Sequence, residues 1–351
     1  MTIQQHWKQE YHVLRDFIAA NPGIIITKNE VSIPKVVRDE FYRRFDDIRR
    51  MVVQNHYSDL PSEIETLCEQ YRAIDSEIKE LLNLDDILMP IDLLSFLRDP
   101  QEGLTRSVYN RLFDLVQGKI GEEEFALMTK EDIGFAATQL FHMGYERWAA
   151  LTLIKQLNPD EAYFVDFDVN EKLMLKELKS ICFGYQAHHP TMRLPEFVIH
   201  SNTLEKYIAV KAPLVREIET YLVPFKPRVR PKKNTGDTSN VLDSRVLFLY
   251  FMATKDDIPL IADIYEGTRT SPDWIVECMS GDELTHPEFQ NRVQYHTEVM
   301  NPKGGTAVVL VDSCRETEIE PVPDYVYTVS AGIDRSKLQS LIDGCFLHKQ
   351  V

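Results

Sequence analysis

The sequence predicts a multidomain α plus α/β protein with a helical N-terminal half, a mixed α/β middle segment and a C-terminal α/β domain. Three observations support this prediction. Apolar residues recur at helical spacing through residues 1–157. The stretch 162–169 (AYFVDFDV) alternates and is rich in aromatic and β-branched residues, as strands are. Beyond residue 245, apolar runs interleave with helical patterns, which predicts a mixed or mostly parallel sheet covered by helices.

Length and composition narrow the class of protein. The chain has 351 residues, 44% of them hydrophobic and 27% charged, and this length suits two or three domains with a sizeable core. Its net charge of −16 argues against nucleic-acid binding over the whole surface, because phosphate binding needs clustered Lys and Arg. No apolar run reaches the ~18 residues of a transmembrane helix, and the first residues lack the apolar core of a signal peptide. The five cysteines form no CxxC pair, so we expect a reducing cytoplasm and no membrane.

The region 1–157 is predicted to be a helical bundle or array. Pro34 and Pro61 each stand where a helix would begin. The helix after Pro61 has apolar residues at alternating steps of three and four, which suits an intramolecular helical hairpin or a dimer seam. Thr129 and Asp132 resemble a capping box that would open a further long helix, separate from one at 121–128.

The middle segment, 158–224, is predicted to alternate strands and helices. It contains the strand at 162–169, an amphipathic helix near 171–183 and a short strand at 196–200, followed by two helical pieces separated at Ala212-Pro213. Residues 225–244 have the composition of a linker, with early prolines followed by Asn, Gly, Thr and Ser. The most basic stretch of the chain lies there, and it is either a solvated linker or a strap that contacts phosphate or an acidic partner. Its cations are Lys226, Arg228, Arg230, Lys232 and Lys233.

The C-terminal domain, 245–351, contains the clearest strands. They are predicted at 246–253, 273–280, 307–312 and 324–330, with helices near 286–300 and 334–346. Thr254 with Asp257 forms another start resembling a capping box, and Gly267 suits a helix C-terminus. We therefore favour a helix over 254–267, and this helix would carry Asp263 away from the strand at 273–280.

Part of this domain resembles a known family. The strand SPDWIVECMS, the following helix with QNRVQY and the strand AVVLVD resemble the restriction-endonuclease-like proteins of the PD-(D/E)XK class, and within them the Uma type. The resemblance covers about residues 272–312. The matching residues are Pro272, Asp273, Val276, Glu277, Ser280, Tyr295, Val311 and Asp312.

The resemblance implies a carboxylate site for a divalent cation. Glu277 would be a catalytic metal ligand, joined by Asp263 or Asp273, and the metal would be Mg or Mn. Arg292 would stabilise the phosphate in place of a missing lysine. The usual E-x-K lysine is Met279 here, and the Uma-type lysine of the next helix falls on Asn291.

Two functions remain open on the sequence. One is a non-catalytic interaction or scaffold protein that binds a protein partner, or a second copy, through its N-terminal helices. The other is a Mg- or Mn-dependent nuclease or phosphodiesterase whose basic strap follows the nucleic-acid backbone. The missing lysine, the acidic surface and the uncertain second carboxylate favour the interaction protein.

Overall fold

The structure is a computed structural model of the whole chain. It describes residues 6–168, 172–183, 194–212, 246–263, 268–285, 293–294, 296–298, 300–311 and 326–347. The predicted basic linker and the position of Arg292 lie outside these residues. No helix in the described part is both long enough and apolar enough to cross a bilayer.

The chain divides into two compact units. The first comprises Met1–Arg72 and Pro90–Gly144, and the second comprises Ala73–Met89 and Tyr145–Val351. The predicted helical domain ends at residue 157, whereas the chain from Tyr145 onward belongs to the second unit. A helical N-terminal half and an α/β C-terminal half are thus both present.

The N-terminal helices follow the apolar periodicity of the sequence. The predicted helices after Pro34 and Pro61 are confirmed, and the first unit packs around stacked and tilted rings, among them Phe41, Phe45 and Phe113. A two-stranded hairpin, β1 (Ile25–Ile26) with β2 (Val31–Ser32), lies between the first two helices. The helices are α1 (His6–Ala20), α2 (Lys35–Tyr57), α3 (Glu63–Leu82), α4 (Ile91–Arg98), α5 (Pro100–Leu104), α6 (Tyr109–Val116) and α7 (Glu122–Gln156).

The predicted helix start at Thr129 is wrong. The α7 helix runs unbroken through this residue, whose Oγ1 donates a hydrogen bond to the carbonyl oxygen of Phe125 at 2.7 Å. A threonine inside a helix can bond back to the preceding turn in this way. Residues 122–128 contain no proline or turn residue that would stop the helix before Thr129. The capping pattern therefore lies inside a continuous helix and not at a helix start.

The second unit is built on an eight-stranded mixed sheet. Its strand order is β14-β13-β12-β9-β8-β7-β4-β5, with β12, β13 and β14 parallel and the remaining neighbours antiparallel. A separate two-stranded pair joins β3 (Asp86–Leu88) to β6 (Ser180–Cys182). The sheet strands are β4 (Pro159–Phe167), β5 (Leu173–Glu177), β7 (Phe197–Ser201), β8 (Lys206–Lys211), β9 (Val246–Met252), β12 (Trp274–Met279), β13 (Gly305–Leu310) and β14 (Val326–Ser330).

Both faces of the central strands are covered, which explains their continuous apolar sequences. The short helix α8 (Gly281–Thr285) follows β12, and helical residues between 293 and 300 precede β13. Val293 packs with Met279, and Met300 packs with Ile275, so this segment covers one face. Helix α9 (Arg335–Leu341) and a π-helical turn (Ile342–Phe346) follow β14.

Three predicted helices of the second unit are wrong. Residues 173–177 and 180–182 are strands rather than one helix at 171–183, and residues 206–211 are strand β8 rather than a helical piece. Residues 254–263 contain no helix. Instead, β10 (Ala262–Asp263) pairs antiparallel with β11 (Thr268–Arg269). Asp257 Oδ2 accepts a hydrogen bond from the amide of Thr254 at 3.1 Å. The predicted capping contact is therefore present, although no helix follows it.

Candidate functional site

Glu277 lies in the middle of β12, the strand that carries the family resemblance. It pairs with Val246 of β9 on one side and with Val308 of β13 on the other. Because both neighbours are full strands and both sheet faces are covered, its side chain is completely buried, at 0% exposure. A buried carboxylate needs a hydrogen-bond partner, since burial without one is costly.

The partner of Glu277 is a histidine of the helical segment that follows β12. His296 Nδ1 lies 2.7 Å from Glu277 Oε1, and His296 is itself only 6% exposed. The two residues are 19 positions apart and meet because β12 and β13 are parallel, which carries the connecting helix back over the strand. A pair of this kind holds a helix against a sheet and satisfies two polar groups together.

Asp273 makes its own contacts just before β12 begins. Its Oδ2 accepts a hydrogen bond from the amide of Phe251 at 2.6 Å, and its Oδ1 lies 3.1 Å from Lys303 Nζ. Four residues of extended chain separate Asp273 from Glu277, which corresponds to about 13 Å along the strand. The two carboxylates therefore have separate partners, and neither of these contacts joins one carboxylate to the other.

The predicted metal ligands do not form a described cluster. The backbone of Asp263 lies in β10, which pairs with β11 and not with β12. Its side chain is outside those that the structure describes, as are Arg292 and the five cations of the basic strap. Among the described side chains, no three His, Cys, Asp or Glu residues are placed to hold a metal ion. A ligand set of Glu277, Asp263 and Asp273 for Mg or Mn thus stays a prediction.

A second buried ionic pair, which was not predicted from the sequence, lies on the same sheet face. Lys211 Nζ of β8 lies 3.2 Å from Glu196 Oε1, and the other oxygen of Glu196 accepts the amide of Ala212 at 2.8 Å. Lys211 and Glu196 are only 1% and 4% exposed. One sequence signal could have revealed the pair. A lysine ends the otherwise apolar run YIAVK, and a lysine in such a run is rarely buried unless it is paired.

The register places the two pairs relative to each other. Lys211 is level with Phe248 of β9, which is level with Ile275 of β12, two residues before Glu277. Since β9 lies between them, Lys211 and Glu277 are two strands, or about 10 Å, apart across the sheet. Apolar side chains, including Phe248 and Val246, fill the space between the pairs.

A buried tyrosine lies close to these charges. Tyr250 of β9 is 2% exposed, and its hydroxyl makes no hydrogen bond to any described residue. Burial raises the pKa of the Tyr250 hydroxyl well above its ordinary value, and the charges of Glu196 and Asp273 raise it further. The group is therefore a neutral phenol in the interior rather than a base.

A half-buried polar cluster lies where β4, β7 and β8 adjoin. His200 Nδ1 contacts Asp160 Oδ1 at 2.7 Å, and the hydroxyls of Tyr163 and Tyr207 both donate to one oxygen of Glu161, at 2.7 and 3.0 Å. The hydrogen bond from His200 lowers the pKa of Asp160, and the two tyrosine hydrogen bonds lower the pKa of Glu161. The same contact with Glu161 raises the pKa of Tyr163 to about 12. This cluster can exchange protons with solvent, but no described nucleophile contacts its histidine.

A small cavity lies on the opposite face of the sheet. Its volume is about 10 Å³, enough for a single water molecule. Arg147 and Cys278 line it, and Arg147 Nε has no hydrogen-bond partner in the described part of the chain. A cavity of this size can admit one water molecule and is too small for an organic substrate.

Comparison with known proteins found no matching family model, no significantly similar curated protein and no significantly similar solved structure.

Proposed function

We propose that this chain is a non-catalytic interaction protein. Its α/β unit is a rigid scaffold, and its N-terminal helices bind a protein partner or a second copy of the chain. None of the four cysteines in the described part is joined to another in a disulfide, which supports a reducing, cytoplasmic site of action.

The contact between Glu277 and His296 is the observation that supports this proposal most directly. A hydrolytic metal centre needs carboxylate oxygens that are open to a cation and to water. Glu277 instead has no exposed surface and bonds a histidine of the covering helix. Its position in the fold therefore suits a role in holding the helix to the sheet.

A metal-dependent nuclease or phosphodiesterase is the second candidate. It is favoured by the order of elements from β12 through helical residues to β13, because strand, helix and strand follow one another in the same order in the family resemblance. Glu277, Asp263 and Asp273 would hold Mg or Mn, and Arg292 would contact the phosphate. The described carboxylates do not converge on one point, so this candidate ranks second.

A cleavage assay separates the two candidates. Purified full-length protein would be incubated with plasmid DNA, single-stranded DNA and RNA in the presence of Mg²⁺ or Mn²⁺, beside a Glu277→Ala variant prepared identically. We expect the same background from both proteins. Cleavage that needs the metal and disappears in the variant would overturn the proposal and establish the second candidate.

A measurement of assembly tests the binding role. The full chain, tagged and expressed in its native host, would be isolated under mild conditions and its mass determined by native mass spectrometry. We expect a complex of fixed stoichiometry or a defined homo-oligomer. A protein that stays strictly monomeric and partner-free at its natural concentration would argue against the interaction role.

A further inference from the structure

The exposed side of α7 carries two large apolar residues whose surfaces are mostly open to solvent. Leu127 is 63% exposed and Phe135 is 58% exposed. They are eight positions apart, so both project from the same side of the helix, two turns from each other. An exposed pair of this kind on one face differs from single scattered apolar residues and is typical of an interaction site.

The charges on this side are predominantly negative and unpaired. Glu123, Glu124 and Glu131 are exposed and make no ion pair with any described residue. The cation among them, Lys130, is already paired with Asp59 at 3.2 Å. Glu123 and Glu124 lie in the first turn of α7, where a negative charge interacts favourably with the helix dipole. Glu131 lies beyond that turn, so the dipole does not stabilise its charge.

A glycine in the middle of the same helix gives an independent indication. Gly134 lies seven positions after Leu127 and therefore on the same side of α7. A Cβ built on it would meet no atom within 4 Å. Glycine weakens a helix interior, and no contact with a described residue requires it here. Its absent side chain would instead let another backbone approach α7 closely.

We propose that this side of α7 binds a basic amphipathic helix of a partner protein. The surface is defined by Glu123, Glu124, Leu127, Glu131, Gly134 and Phe135. The partner's apolar residues would cover Leu127 and Phe135, and its Lys or Arg residues would pair with the three glutamates. A second copy of this surface would bring like charges together, so charge complementarity selects a cationic partner. This inference rests on the proposed interaction function and names the surface and the class of partner.

The test uses two model peptides with the full-length protein. One is a fluorescently labelled 18-residue amphipathic helix of Leu and Lys, and the other has Glu in place of every Lys. We expect the Lys peptide to bind at least about tenfold more tightly than the Glu peptide in anisotropy titrations, with affinity that falls as salt rises. Equal affinity for both peptides, or no binding of either, would overturn the inference.

Matched variants identify the surface. Leu127→Ala together with Phe135→Ala should weaken binding of the Lys peptide by about tenfold or more, and Glu131→Lys should weaken it and reduce its salt dependence. The control is Ile91→Ala, because Ile91 of α4 is 64% exposed and lies outside this surface. It should change binding less than about twofold. Circular dichroism would confirm that each variant is folded, and equal losses in the control would overturn the assignment.

Failure of the peptide test can be told apart from failure of the proposed interaction function. Metal-dependent cleavage by the Glu277 site would overturn the interaction function, whatever the peptides do. Light scattering on the same samples detects self-association. A dimer that is broken by the double variant would overturn the cationic-partner inference while leaving the interaction function intact.

Discussion

Replacing Glu277 by Gln distinguishes a structural pair from a metal site through the sign of the stability change. In the structural interpretation, the variant keeps the shape of the side chain but loses a charge-assisted hydrogen bond to His296, 2.7 Å away in a fully buried site. Such a bond contributes about 1.5–3 kcal/mol. A unit of this size loses about 3 °C in Tm per kcal/mol, so we expect a fall of about 5–9 °C. A carboxylate held among other ligands without a metal would behave oppositely, because removing its charge relieves repulsion.

The assay is urea unfolding followed by tryptophan fluorescence, since Trp274 is buried on the same strand. The midpoint should fall with an unchanged slope, which indicates a loss of stability without a change in the surface exposed on unfolding. Glu298→Gln is the matched control, because Glu298 is an exposed glutamate of the same helical segment and should change stability by less than about 0.5 kcal/mol. A Glu277→Gln protein as stable as the wild type, or more stable, would refute the structural interpretation.

Three further predictions concern other parts of the chain. Lys211→Met should cost about 3–5 kcal/mol of unfolding free energy because it leaves Glu196 buried without its cation, whereas adding Glu196→Gln should recover part of the loss; additive losses in chemical denaturation would contradict this. Because the hydrogen bond to Glu161 raises the pKa of Tyr163 to about 12, Glu161→Gln should move the pKa back toward 10, and an unchanged ultraviolet titration would disprove that cause. Gly103→Ala should destabilise the helical unit by more than about 2 kcal/mol, because the new methyl would lie 2.4 Å from the Cα of Phe96. A variant that unfolds at the wild-type temperature in a thermal melt would contradict this.

Strong apolar patterns predicted most of the fold correctly. The runs at 246–253 and 307–312 are apolar at nearly every position, and only a strand buried on both faces uses such a sequence over so short a length. The helices after Pro34 and Pro61 were equally clear, because their apolar residues repeat over five turns or more. In these segments, local preference and tertiary environment favour the same structure.

The wrong segments are those whose pattern fits two structures. Residues 173–182 place apolar side chains at spacings compatible with a helix, yet Leu175 pairs with Val165 in a hairpin between β4 and β5. The amide of Asp168 also donates to the carbonyl oxygen of Lys172 at 2.8 Å, just beyond the paired residues. Pairing with a neighbouring strand made this segment a strand. The sequence of one segment does not show which other segment will pair with it.

The candidate site shows the same division. The sequence placed Glu277 in a predicted strand at 273–280 and predicted a helix near 286–300, the range that contains His296, because both elements follow from periodicity. Only the parallel crossover brought Nδ1 and Oε1 within 2.7 Å of each other, and only strand pairing placed Lys211 in a fully buried row of β8. Periodicity determines which side of an element is buried, whereas the identity of a buried group's partner depends on register between segments that are distant in the chain.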